Sequence, residues 1–425
     1  MLKVIKEKLS SGMGRDVVWT FAIQFLIMIC AFAVNKLLAS RMSIDDFGQY
    51  NVIKRSVQVL SFVMLAGVGI ALPRYIPLYR KGDQPRPITP LIQASLIYII
   101  AVTTAVCMAC WAFRSDVQQL VLGESDNDGL LIIALAYAFV MAMAQVAFAF
   151  YRGIGDFKWY NGTQLAIQLA TILPLIFLPV LTVSNVFVTW LFITALLVVF
   201  YFGRELWVRH GLTIGDLTTQ KAELKTIIKY SSGRLVADFF QFSLAAFPLI
   251  YISYVQGLKS TAYYAIGTTF VTMVTPLYSF MGIILLPYVS ECIAKHELAS
   301  ANRLINRLSL LYLASAAVAI IVLCLFTDFL TRLLFAESYV MASGITRIMV
   351  LSVLPQAIYL LYRNTLDAIS VFPYNLIVLG ACLAAMLISF NLCTTLNQFA
   401  WAYFGVSCLQ ALLSLLIWQT VKVPN

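Results

Sequence analysis

Long apolar stretches recur along the whole sequence, and most have the length that a helix needs to cross a membrane. The hydrocarbon core of a bilayer takes about 20 predominantly apolar residues in helical conformation. Strands of a membrane β-barrel would alternate apolar and polar residues over about 10 positions, and these stretches do not alternate. Only 11% of the residues are charged, whereas soluble proteins carry about 25%. The sequence therefore predicts an all-α, multi-pass membrane protein.

The lengths of the apolar stretches predict about twelve transmembrane helices. The segments between them are short, so no separate soluble domain is expected. The predicted spans cover residues 16–39, 50–79, 88–113, 130–151, 159–181, 186–203, 226–255, 262–290, 304–327, 342–362, 370–392 and 398–420.

Basic residues concentrate in alternate loops, and this bias predicts the orientation. With the N-terminus inside, most of the 29 Lys and Arg residues lie on the inner side, and the outer loops contain Arg41, Arg114, Lys259 and Arg332. Lys and Arg are retained on the cytoplasmic side of short loops, so both termini are predicted to be cytoplasmic. The net charge of +10 would then face anionic lipid headgroups. The scattered basic residues give no support for nucleic-acid binding.

Metal and disulfide chemistry have little support in the sequence. The two histidines, His210 and His296, are far apart and fall in predicted inner loops, so they form no metal-ligand set. The eight cysteines lie mostly inside apolar spans, where free Cys behaves as a small hydrophobe. Cys107 and Cys110 form a C-x-x-C pair within such a span, without a second Cys or His cluster. No metal, cofactor or disulfide framework is expected.

The chain resembles itself at an offset of about 214 residues; Leu72–Tyr75, for example, falls on Leu286–Val289. Many transporters are built from two related halves. Six spans in each half would insert both halves the same way up. We therefore predict two six-helix lobes, residues 1–215 and 216–425, related by a pseudo-two-fold axis along the membrane normal. Chance similarity among apolar helices is the alternative.

The predicted spans contain more basic residues than acidic ones. A charged side chain inside a bilayer costs about 2.5–3.5 kcal/mol on insertion scales, so it normally faces a water-filled cavity or a partner. Snorkelling toward a nearby span end is the alternative for most of these residues. Lys54 and Arg55 are adjacent and diverge by about 100° on a helix, so at least one is expected to point into the protein. The basic residues within spans are Lys36, Lys54, Arg55, Arg74 and Arg347, against the carboxylate of Asp238.

Uncharged polar residues recur at helical spacing on several spans. Residues at i, i+3 or i+4, and i+7 share one face of a helix. Such faces are expected to line a hydrated central cavity, and hydrogen bonding between neighbouring helices is the alternative. The stripes are Asn161, Gln164, Gln168 and Thr171; Thr268, Thr272, Thr275 and Ser279; Arg234, Asp238 and Gln241; and Gln24 with Asn35.

A series of short motifs resembles the Wzx-like polysaccharide and O-antigen flippases of the multidrug/oligosaccharidyl-lipid/polysaccharide exporter superfamily. The motifs are Asn35–Ala39, Phe47–Tyr50, Leu72–Tyr75, Tyr151–Gly153 and Lys158–Asn161. The resemblance covers nearly all of the chain and implies two six-helix lobes around a cationic cavity. The related lipid II flippases are similar in having basic residues on the first two spans, but they carry an extra pair of spans that this chain lacks.

This resemblance implies a flippase that moves an undecaprenyl-pyrophosphate-linked oligosaccharide repeat unit across the bacterial cytoplasmic (inner) membrane by alternating access. The product would serve O-antigen and lipopolysaccharide, capsule or exopolysaccharide biosynthesis, with membrane lipids, a polysaccharide polymerase and a chain-length regulator as partners. Asp238 is the candidate for ion coupling. Substrate contacts are expected from Lys36, Lys54, Arg55, Arg234, Arg347, Gln164, Gln168, Thr272 and Thr275.

Two other classes of function fit the chain less well. A multidrug exporter of the same superfamily resembles this chain in architecture, but such carriers usually need a buried carboxylate in the first lobe. Apart from Asp16, no Asp or Glu lies in the first six predicted spans. A membrane polymerase or ligase typically carries a large outer loop with catalytic residues, and no such loop is predicted here. The chain is therefore not expected to be an enzyme.

Overall fold

The computed structural model describes residues 12–81, 86–123, 127–206, 217–294, 298–369 and 374–421. Within these ranges the chain forms helices joined by short turns and contains no strand, which confirms the prediction of an all-α protein. The helices are α1 (Gly12–Arg41), α2 (Ile44–Leu65), α3 (Val68–Lys81), α4 (Thr89–Ala112), α5 (Arg114–Leu122), α6 (Asp128–Ile154), α7 (Phe157–Phe177), α8 (Val183–Val198, continued by a π-helical turn Val199–Gly203), α9 (Leu217–Ala294), α10 (Leu298–Leu325), α11 (Thr327–Leu334), α12 (Ser343–Val350, preceded by a 3-10 turn Glu337–Ala342), α13 (Val353–Ile369), α14 (Tyr374–Asn391) and α15 (Leu396–Val421).

Helices occupy all twelve predicted span positions in the described parts of the chain. Eight helical stretches there are long and apolar enough to cross a membrane, or ten if each of two bent helix pairs is one span. One of the eight, Leu235–Tyr278, is 44 residues long and is broken at Gly257, so it contains two predicted spans. The one predicted span that these stretches do not include, residues 159–181, corresponds to α7, a helix of 21 residues.

Side-chain caps explain where several helices begin. The first backbone N–H groups of a helix have no partner within the helix, and Ser, Thr, Asp or Asn at the N-cap position supplies one. At the start of α2, Ser43 Oγ accepts from the Asp46 backbone N–H at 3.1 Å. The same kind of cap is present at Asn127, Asp156 and Thr182.

Residues with positive φ bend the helical spans. Ala66 (φ 49°) and Gly67 (φ 79°) separate α2 from α3, and the two helices differ in direction by 42°. Gly257 interrupts α9 with φ 82° and ψ 175°. Glycine reaches this region without steric penalty, so Gly257 divides the long helix into two spans.

The first compact unit is Met1–Phe239, and α6 is its central helix. Its neighbours α2, α3 and α8 all pack against it. One face of α6 carries the small, buried side chains of Ala134, Ala138 and Ala142. Small side chains let the backbones of neighbouring helices approach closely. Helix α7 packs between α1 and α8.

The second compact unit is Phe240–Asn425, and α15 is its central helix. Helices α12, α13 and α14 pack against α15, and α10 packs against α12 and α13. Buried Phe390 and Phe399 lie 5.0 Å apart between their ring centroids and join α14 to α15. Each unit thus has one helix that most of the others contact.

The first residues of α9 belong to the first unit. Tyr79 donates to the Glu223 carboxylate at 2.6 Å, and Gln220 donates to Gln93 at 3.1 Å. The sequence predicted an inner loop up to residue 225, whereas helix already begins at Leu217 and docks on α3 and α4. The lobes of residues 1–215 and 216–425, and the axis that relates them, stay predictions.

Candidate functional site

The basic pair of α2 is half-buried, and Lys54 lies against a buried aromatic core. Lys54 is half-buried, with its Nζ 5.4 Å from the ring centroid of Tyr50, one turn earlier. Arg55 is also half-buried and donates from Nη1 to Gln58 Oε1 at 3.0 Å. The Tyr50 ring and the Gln58 amide carry no net charge, so these two contacts by themselves leave the positive charges of the pair in place.

Tyr50 anchors this turn of α2 in the first unit. Its side chain is fully buried, and its ring packs against Phe187 and Trp190 of α8, with centroids 6.0 and 5.9 Å away. Tyr137 of α6 joins the same cluster through Phe187. The platform beneath Lys54 is therefore built from three helices, which limits the positions its ammonium group can take.

The other basic residues of the first two predicted spans are exposed. Lys36 is exposed on α1 and Arg74 on α3. The guanidinium of Arg74 lies 4.6 Å from the Tyr230 ring centroid and donates to the Tyr230 hydroxyl at 3.4 Å. Arg74 therefore helps to attach the beginning of α9 to α3.

Part of the polar stripe of α7 faces a neighbouring helix. Gln24 of α1 donates to Gln164 Oε1 at 2.6 Å, and Asn161 donates to Thr20 Oγ1 at 2.8 Å. Hydrogen bonding between helices, the alternative to a cavity, thus accounts for these two positions. Gln168 bonds within α7, donating to Thr171 Oγ1 at 3.2 Å. Substrate contact by Gln164 and Gln168 stays a prediction.

The threonine stripe of α9 bonds to its own helix. Thr268, Thr272 and Thr275 donate to carbonyls three or four residues earlier, at 2.8, 3.0 and 3.0 Å. Thr272 is exposed and Thr275 half-buried. A hydroxyl that donates to the backbone keeps lone pairs with which it can accept a hydrogen bond. The side chain of Ser279 lies outside the described residues.

The third charged stripe is only partly described. Asp238 is half-buried, and the side chain of Arg234 lies outside the described residues. Gln241 accepts from the Tyr359 hydroxyl at 3.3 Å and from Arg363 Nη1 at 3.4 Å. Its role as acceptor ties α9 to α13 within the second unit.

The structure adds a polar face on α13 that the sequence analysis missed. Gln356, Tyr359 and Arg363 are spaced i, i+3 and i+7, which was the available signal. Gln356 donates to the Tyr403 hydroxyl at 2.8 Å, and Asn375 donates to the Arg363 carbonyl at 3.3 Å. Arg363 directly follows the predicted span 342–362, and it is half-buried between helices.

Arg347 has an acidic partner that the sequence did not reveal. Its Nη2 lies 2.9 Å from Asp328 Oδ2 of α11, and both side chains are about half-exposed. A second pair, Arg332 with Glu337 at 3.3 Å, lies nearby in the chain. The helix α11 folds back at the end of α10 and brings Asp328 to α12, so the charge of Arg347 is balanced locally.

Comparisons with known proteins agree with this architecture. A family model described as "Polysaccharide biosynthesis protein" matches residues 13–293. No curated protein matches the chain significantly. An inward-facing multidrug resistance MATE family transporter of the MOP superfamily has a TM-score of 0.73 at 12% identity, with 95% of this chain and 97% of that chain covered.

The lipid II flippase MurJ, in an inward closed conformation, has a TM-score of 0.74 at 13% identity, with 95% of this chain and 87% of that chain covered. The MATE multidrug transporter DinF-BH has a TM-score of 0.68 at 12% identity, with 97% of this chain and 96% of that chain covered. At such identities these likenesses establish the fold alone. Because the family model spans well over half of the sequence, the chain belongs to the polysaccharide biosynthesis protein family.

Proposed function

We propose that this protein is a flippase that carries an undecaprenyl-pyrophosphate-linked oligosaccharide repeat unit across the bacterial cytoplasmic membrane, and that it is not an enzyme. Its family is that of polysaccharide biosynthesis proteins, and it shares its fold with a lipid II flippase. Both termini are proposed to be cytoplasmic. A surface-polysaccharide polymerase and a chain-length regulator are the proposed partners, and O-antigen and lipopolysaccharide are among the polymers it would serve.

The observation that carries this proposal is the basic pair Lys54 and Arg55 on a membrane-length helix, held by a ring and an amide. A charged side chain within a membrane span costs free energy, so charges found there usually have a function. Binding a pyrophosphate would be such a function, because charge-assisted hydrogen bonds are strong at low effective dielectric. Lys36 and Arg234 would add positive charge. Arg347 would have to exchange Asp328 for the substrate.

Polar side chains would contact the sugars. The hydroxyls of Thr272 and Thr275 donate to backbone carbonyls and can accept from sugar hydroxyls. Gln164 accepts from Gln24 through Oε1, and its amide nitrogen can donate; Gln168 would act similarly. The prenyl chain would stay in lipid while the headgroup crosses by alternating access, with Asp238 as the proposed coupling group.

The test removes the charge of the pair. We expect Lys54→Ala combined with Arg55→Ala to stop surface polysaccharide assembly and to leave lipid-linked repeat units on the inner leaflet, with protein inserted at normal levels. Arg55→Lys should be partly tolerated, because the charge survives although the planar guanidinium is lost. Polysaccharide output, inner-leaflet intermediates and protein level are measured in the same cells.

Lys158→Ala is the matched control, because Lys158 is an exposed cation at the first turn of α7. Cells with this variant should produce a normal amount of surface polysaccharide. Normal polysaccharide output from the double variant would overturn the proposal. Reduced insertion, with normal polysaccharide output for each inserted molecule, would also overturn it, because that is the result expected if the two side chains only snorkel to the span end. Increased resistance to cationic drugs on overexpression, with polysaccharide unaffected, would favour the multidrug exporter instead.

A further inference from the structure

Each compact unit contains a short helix that follows a predicted span after a single residue. In the first unit, α5 follows α4 with only Phe113 between them. In the second unit, α11 follows α10 with only Phe326 between them. The two phenylalanines are 213 positions apart in the sequence, close to the offset of the internal repeat, so the two short helices occupy equivalent places.

The two joints have the same backbone conformation. Phe113 has φ −110° and ψ 34°, and Phe326 has φ −102° and ψ 14°. Each phenylalanine N–H donates to the carbonyl four residues earlier, at 3.2 and 3.0 Å, and each carbonyl accepts from the N–H four residues later, at 3.0 and 2.8 Å. Both joints are therefore ordered corners and not frayed helix ends.

Both short helices are amphipathic, and most of their buried and exposed positions correspond at the offset of 213 residues. The buried side of α5 includes Gln118, Val121 and Leu122, and the equivalent part of the second unit includes Thr331 and Phe335. On the opposite side, exposed apolar residues lie seven positions apart in each case, at Phe113 and Leu120 and at Phe326 and Leu333. Residues at i and i+7 share one face of a helix. The exposed fractions are 66% for Phe113, 47% for Leu120, 53% for Phe326, 62% for Phe329 and 51% for Leu333.

The exposed apolar sides continue the surfaces of the spans that precede them. Met108 and Trp111 at the end of α4 are 63% and 46% exposed, and Leu325 at the end of α10 is 73% exposed. Exposed apolar side chains at the end of a membrane-length helix are suited to contact with acyl chains. The Arg114 guanidinium lies 5.8 Å from the Trp111 ring centroid, and Trp and Arg are side chains that lie at the headgroup level of a bilayer.

We propose that α5 and α11 are a matched pair of interfacial helices that bind the lipid surface. Each would lie in the headgroup layer, with its exposed leucine and the phenylalanine of its joint on the acyl chains and its polar side toward water, as amphipathic interfacial helices do. Because each is joined to its span by an ordered corner, it would hold that end of the span at the bilayer surface and limit its tilt.

The test uses the full-length protein in nanodiscs of phosphatidylglycerol and phosphatidylethanolamine, with the photoreactive residue benzoylphenylalanine introduced at single positions. We expect Phe113 and Phe329 positions to form phospholipid adducts in several-fold excess over Gln119 and Arg332. The two control positions are exposed polar residues of the same helices and are themselves 213 apart. Adducts are identified by mass spectrometry on the monodisperse fraction of each variant, so that misfolded protein is left out.

Equal adduct yields at apolar and polar positions would overturn the proposal, because both sides would then face the same medium. Cross-links from position 113 or 329 to a second copy of the chain would also overturn it, since protein and not lipid would cover the face. The result is independent of transport, so it stands whether or not the proposed flippase activity is found.

Discussion

At the scale of residues, a basic side chain can serve the helix framework without an acidic partner. Arg41 donates from Nη1 to the Leu175 carbonyl at 2.7 Å and from Nη2 to the Leu178 carbonyl at 2.5 Å. These carbonyls lie at the end of α7, where helical acceptors have no N–H partner and where positive charge is favourable. Arg41 therefore closes a helix end, although by sequence it is only one of the outer-loop charges.

Gly153 illustrates how a single missing side chain positions two helices. A Cβ at this position would lie 2.9 Å from Ile76 Cδ1 and 3.1 Å from the Leu72 carbonyl oxygen of α3. We expect Gly153→Ala to lower the free energy of unfolding by about 1–3 kcal/mol, the usual cost of overpacking. The measurement is the thermal unfolding midpoint of the purified protein in detergent.

Gly162→Ala is the control for this substitution, because it also lies in a helix but has no heavy atom within 4 Å of the added Cβ. It should leave the unfolding midpoint unchanged or raise it. Equal midpoints for Gly153→Ala and Gly162→Ala would show that the close approach of α3 and α6 does not depend on the absent side chain.

At the scale of elements, the attachment of α1 to α7 depends on a half-buried pair of amides. Gln24 and Gln164 are far apart in sequence and 2.6 Å apart in the structure. We expect Gln24→Leu and Gln164→Leu to be coupled in a double-mutant cycle, by about 0.6 kcal/mol and at most about 1.7 kcal/mol, the range for hydrogen bonds between membrane helices. The readout is unfolding of the purified variants in mixed detergent.

Thr189→Val combined with Gln164→Leu is the additive control, since the Thr189 hydroxyl bonds to Asn185 of its own helix. Additivity of the two glutamine substitutions, within error, would contradict a bond between α1 and α7. It would also favour the cavity-lining interpretation of Gln164.

At the scale of the whole molecule, the distribution of Lys and Arg predicts the orientation in the membrane. In a variant without native cysteines, we expect Ser115→Cys to react with a membrane-impermeant thiol reagent in cells whose outer envelope is permeable. Lys158→Cys should react only after the cytoplasmic membrane is opened. Both positions are exposed, so access to the reagent and not burial decides the outcome. The reverse labelling pattern would mean that the termini are outside.

The amino-acid sequence by itself determined where the twelve apolar helical segments lie and which family the chain belongs to. These properties depend on local patterns: apolar runs of spanning length and motifs in a given order. A helix forms its backbone hydrogen bonds within a few residues, so its position is visible without knowledge of its neighbours. The start of α9 was missed because its amphipathic first turns gain their stability by packing on α3 and α4.

Only the tertiary structure decided which side chains meet. Polarity on α7 predicted either a cavity or a neighbouring helix, and the contact of Asn161 with Thr20 of α1 shows the neighbour. The sequence left Arg347 without a counter-ion, whereas the corner at Phe326 brings Asp328 to it. Such contacts join residues whose separation in sequence carries no information about distance, because helix packing depends on the shapes of whole faces. For the same reason the matched corners at Phe113 and Phe326 became visible only in three dimensions.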